Sequence, residues 1–79
     1  MLFNEGKRNK TSLIDGNRYL VYFRNSYMRR SLYEIVILEK ATEHFKLKCI
    51  CPNAEDFIEW KKYDDIEIVE YLGFDDDYD

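Results

Sequence analysis

The sequence predicts an all-β domain, five short strands rolled into a small closed barrel. Three observations carry that expectation. Runs of β-branched and aromatic residues alternate with polar ones at a period of two. Turn signals, Asp15-Gly16-Asn17 and Pro52-Asn53, fall between those runs. No segment carries a clear helical period, although residues 11–15 have room for one helical turn. Five strands in 79 residues need closure to hide their edges.

The elements follow in order. Residues 1–16 are polar and mixed, and read as an N-terminal arm. Arg18-Tyr-Leu-Val-Tyr-Phe-Arg24 is the first strand. Asn25 to Arg30 is a loop. The second strand, Ser31 to Lys40, places Tyr33, Ile35 and Ile37 on one face and Leu32, Val36 and Leu38 on the other. Its β-branched content decides against a buried helix. Ala41 to His44 lacks Gly and Pro, so a connection longer than two residues is expected. Phe45 to Cys51 is the third strand, with Phe45, Leu47, Cys49 and Cys51 inward and Lys46 and Lys48 outward. Pro52-Asn53 ends it. The fourth starts at Phe57 or Ile58, where Ile58 and Trp60 alternate with Glu59 and Lys61. Tyr63-Asp64-Asp65 suits a 3₁₀ turn, because adjacent carboxylates accept nearby backbone N–H bonds. Ile66 to Leu72 is the last strand, Ile66 and Ile68 sharing a face, and Gly73 ends it. The barrel therefore spans 17–73, and residues 74–79 form an acidic tail that reads as solvated.

Aromatic residues make up 16% of the chain, an efficient filling for a small core. The net charge of −4 argues against general binding to a nucleic acid backbone. Residues 1–30 hold seven basic and two acidic side chains, a net +5; residues 31–79 hold five basic and fourteen acidic, a net −9. Folding the halves together cancels much of this, and a two-signed surface suits a protein partner or self-association. Met1-Leu2-Phe3 runs straight into Asn, Glu, Gly and Lys, and no apolar run approaches a membrane span. A cytoplasmic protein with two reduced thiols is the expectation.

The ending Trp60, Lys61-Lys62-Tyr63-Asp64-Asp65, Ile66-Glu67-Ile68-Val69-Glu70 resembles that of small SH3-like or Tudor-like barrels of bacterial and phage proteins. The preceding YEIVILEKATEHFKLKC looks like the long hairpin of the same layout. The resemblance covers residues 17–72 and is a pattern of residue types. It implies an SH3-like barrel with Trp60 as a core plug and Asp64-Asp65 as the turn that swings the chain to the closing strand. It also implies a habit of binding proteins, peptides or nucleic acid, without fixing which.

Cys49-Ile50-Cys51 with His44 is the nearest approach to a metal cluster. Strand phase puts 49 and 51 on one face and 44 on the other, and no second Cys or His pair completes four ligands. Nothing places a base beside a nucleophile, and the three glycines form no phosphate loop. No enzyme, no metal and no cofactor are expected. The partner-binding candidates are Tyr27, Met28, Arg29 and Arg30 in the loop, with Tyr22 on the adjacent strand, since Tyr and Arg are enriched at interfaces. The function expected is a small non-catalytic interaction module that binds and modulates a partner protein, an inhibitor of a host protein being one form. Self-association through an exposed edge accompanies it. The alternative is a nucleic-acid binder using the basic first half.

Overall fold

The computed structural model describes residues 5–24 and 31–76. Helix α1 (Glu5–Ser12) leads into five strands: β1 (Asn17–Phe23), β2 (Leu32–Lys40), β3 (His44–Ile50), β4 (Phe57–Lys62) and β5 (Ile66–Phe74). A 3₁₀ turn, Tyr63–Asp65, joins the last two. All neighbours are antiparallel, in the order β4-β3-β2-β1-β5. The described strands therefore form one open sheet rather than a closed ring, with β4 and β5 at its edges.

That sheet is strongly curled. Its two edges are linked by only three residues, so they converge at that end. The Lys61 ammonium of β4 lies 5.4 Å from the centre of the Phe23 ring on β1, although β3 and β2 intervene in the sheet order. Bulges supply the bend, because an extra residue on one strand increases local twist. Leu38 is the extra residue of β2 against β3; Val69 and Leu72 are the extra residues of β5 against β1. Gly73, expected to end the last strand, sits inside β5 opposite Arg18, with a φ of +99° that suits glycine.

The concave face holds the core. Val21, Phe23, Ile35, Ile37, Phe45 and Leu47 are fully or almost fully buried there, and the Phe45 ring stacks on Tyr63 at 5.3 Å. Alternation along β1 and β3 is as the sequence predicts. Three residues, 41–43, connect β2 to β3, and the Ala41 amide donates to the His44 carbonyl. Asp15-Gly16 turns as expected: the Asn17 amide donates to the Ile14 carbonyl, and Gly16 has a φ of +87°.

Trp60 is not the core plug. It is 47% exposed on the convex face, opposite Lys46. Pairing of Phe57 with Cys49 fixes the register of β4, so Phe57, Glu59 and Lys61 take the concave side. A one-residue change of phase turns every side chain over. Phe45 and Tyr63 fill the place assigned to the indole.

Residues 5–16 are not an arm apart from the core. Helix α1 has eight polar or small residues and no apolar stripe, so it is too short and too polar to persist alone. Tertiary bonds hold it. Asn9 is 4% exposed, and its amide donates to the Tyr63 carbonyl at 2.8 Å and the Ile66 carbonyl at 2.9 Å. Leu13, just past the helix, is fully buried. The unpaired carbonyls of the helix end find partners too. The Lys40 ammonium donates to the carbonyls of Lys10 and Leu13, and the Tyr19 hydroxyl donates to that of Ser12. A cation there also suits the negative end of the helix.

Candidate functional site

A surface groove lies where the concave face meets the β5 edge. Tyr19 and Tyr71 are cross-strand partners with ring centres 5.6 Å apart. The Tyr19 hydroxyl also accepts the Ile14 amide at 3.1 Å, so the chain leaving α1 is tied to the β1 ring. Ser12, Ile14, Asn17, Tyr19, Ile68 and Tyr71 line a groove of about 420 Å³. Its rim is apolar and open: Ile14 is 57% and Tyr71 58% exposed. Val69 and Phe74 on the same strand are exposed as well.

Two properties set what this groove can accept. Among the described residues, β5 pairs with β1 alone, so its other side presents backbone N–H and C=O groups. The charge beside it is acidic. Residues 66–76 contain Glu67, Glu70, Asp75 and Asp76 and no basic side chain. Asp15 adjoins Ile14, and the Asp75 amide is bonded to the Gly16 carbonyl, which brings the C-terminal end of this acidic run beside the groove. Arg24 meets Glu67 at 3.6 Å on the convex side.

A second cleft, of about 330 Å³, lies between α1, the β2–β3 turn and the 3₁₀ turn. Lys7, Lys10 and Lys62 line it together with Glu43 and Asp64, so its charge is mixed. The Lys10 ammonium is bonded to the Thr42 carbonyl at 2.8 Å and sits 5.7 Å from the centre of the Tyr63 ring. Gly6 lets the helix come close here; a Cβ at that position would stand 3.1 Å from the Asp64 Cβ.

Cys49 is fully buried and Cys51 half-buried, both as free thiols. Burial, reinforced by the neighbouring Cys51, pushes the Cys49 thiol up to about 12. A thiol so placed is a poor nucleophile at neutral pH. Burial also raises the Tyr63 hydroxyl, which donates to the Ala41 carbonyl. Among the described residues no three His, Cys, Asp or Glu side chains stand close enough to hold a metal ion. No described helix is long and apolar enough to cross a membrane.

Of the residues singled out from sequence, Tyr27, Met28, Arg29 and Arg30 lie outside the described residues. Tyr22 is half-buried on the convex face, between Leu32 and Glu67 in register, and does not join the groove. The basic first half is partly spent: Arg18 pairs with Glu34 at 2.8 Å and Arg24 with Glu67. Ile14 and Tyr71 were not singled out. A signal for Tyr71 exists in Val69-Glu-Tyr-Leu-Gly-Phe74, which is more apolar than one buried face requires; none marks Ile14. Compared with protein-family models, with curated proteins and with solved structures, the chain finds no match in any of the three.

Proposed function

We propose that this chain is a small non-catalytic protein-interaction module that receives an extended basic segment of a partner protein as an added strand along β5. The observation that carries this reading is the coincidence, among the described residues, of a sheet edge with a strand partner on one side only, an apolar groove beside it, and a sequence run, residues 66–76, that holds four carboxylates and no basic side chain. Strand addition draws affinity from main-chain hydrogen bonds and specificity from pockets that take alternate side chains. Here the groove over Tyr19 and Tyr71 receives apolar side chains, while Glu70, Asp75 and Asp15 answer lysines or arginines between them. The curled sheet is read as an open variant of the SH3-like barrel. The strand order and the 3₁₀ turn that carries the chain from one edge to the other support that assignment.

The test uses two synthetic octapeptides, one alternating Lys with Val and one alternating Glu with Val, titrated against the protein by calorimetry. Binding of the lysine peptide alone, weakened about tenfold by Tyr71→Ala and further by Glu70→Lys, is expected. Equal binding of both peptides, or lysine-peptide binding indifferent to these substitutions, contradicts the reading. A nucleic-acid binder is the weaker alternative, since Arg18 and Arg24 are engaged by the acidic half; salt-dependent retention on DNA would favour it.

A further inference from the structure

We infer that a second copy of this chain docks on the opposite edge of the sheet, β4 against β4, in an antiparallel two-fold pair centred on Trp60. The inference is independent of peptide binding at β5, which it leaves uncovered at both ends of the joined sheet.

Among the described residues β4 pairs with β3 alone, so its outer side is an unpaired edge. Its convex face carries Ile58, 56% exposed, and Trp60. Edge strands that display apolar side chains are templates for pairing. The sequence of β4 states which partner fits. Glu59 and Lys61 flank Trp60 symmetrically, and both project to the concave side of the strand. An antiparallel copy centred on Trp60 sets Glu59 against the partner's Lys61 and Lys61 against the partner's Glu59. The two indoles then oppose each other on the convex face, and Ile58 lies against the aliphatic stem of the partner's Lys62.

Neighbouring registers lack this fit. Centring on Glu59 opposes two carboxylates, and centring on Lys61 opposes two ammonium groups. A β5 pair gains nothing comparable, because residues 66–76 contain no cation. In the single chain, Lys61 and Glu59 meet each other at 3.8 Å and partly exposed, a contact that an intermolecular pair replaces at little cost. A two-fold contact uses the same patch on both subunits, so it closes and does not grow into a fibre. Six residues of strand bury less than a standard interface, so the dimer is a weak one.

Sedimentation of the full chain from micromolar to millimolar concentration tests this. The wild type is expected to pass from monomer to dimer, with a blue shift of Trp60 emission over the same range. Lys61→Glu and Glu59→Lys should each weaken self-association at least about tenfold, because each opposes like charges at both positions. An equimolar mixture of the two variants restores both ion pairs and should dimerise as the wild type does, which also shows that each variant is folded. A wild type that stays monomeric at millimolar concentration overturns the inference. So does a dimer untouched by the two substitutions, or a mixture that remains monomeric.

Discussion

Replacing Asn9 by Ala removes the side chain that ties α1 to the 3₁₀ turn. Its amide makes two hydrogen bonds, at 2.8 and 2.9 Å, to carbonyls 54 and 57 residues away in sequence. Each such bond contributes about 0.5–1.5 kcal/mol net, and leaving a buried carbonyl unpaired costs about 1–3 kcal/mol. With Asn9 almost fully buried, the substitution should cost roughly 2–3 kcal/mol in all. For a chain of 79 residues, each kcal/mol corresponds to about 6 °C in Tm, so a fall of roughly 12–18 °C is expected. Thermal and urea denaturation followed by far-ultraviolet circular dichroism measures it. Thr11→Ala is the control. Its hydroxyl bonds the Lys7 carbonyl of the same helix at an exposed position, and its loss should move Tm by no more than about 3 °C. If Asn9→Ala behaves like the control, the helix is not anchored through this amide and the reasoning fails.

Two further outcomes follow from burial. Trp60→Ala should change monomer stability by about 1 kcal/mol or less, whereas Phe45→Ala, which empties the space beside Tyr63, should cost about 3–5 kcal/mol; urea midpoints at a concentration where the chain is monomeric compare them. The Cys49 thiol is pushed up in the folded state, so its contribution to stability is fully present below the thiol's ordinary range and is lost as pH rises from about 9 towards 12. Urea titrations between pH 8 and 11 should show stability falling more steeply in the wild type than in Cys49→Ala, and a parallel decline in the two would refute that assignment.

The strands were legible wherever a strand has one apolar and one polar face. Phe45, Leu47 and Cys49 alternate with lysines, and only one phase buries them. β4 has the same alternation, yet Ile58 and Trp60 face outwards. Period reveals two faces, and which one points inwards is settled by pairing with the next strand, here Phe57 with Cys49. Helix α1 was hidden because Glu5–Ser12 has no apolar period, and what holds it are bonds from Asn9 and Lys40 to residues distant in sequence. Closure was expected from the number of strands; the structure instead bends the sheet with bulges at Leu38, Val69 and Leu72, which no local signal marks. The groove was missed for a related reason. Tyr71 lies within the strand read from sequence, but it is the bulge at Leu72, ahead of the positive-φ Gly73, that sets it opposite Tyr19.

The proposal that β5 is the receiving edge is tested most directly by amide chemical shifts of the ¹⁵N-labelled protein during titration with the lysine–valine octapeptide. Perturbations should concentrate on Ile66–Phe74 and Ile14, with slower hydrogen exchange of β5 amides once peptide is bound. Perturbations confined to β4 or to residues 25–30, with the β5 amides unmoved, would contradict it.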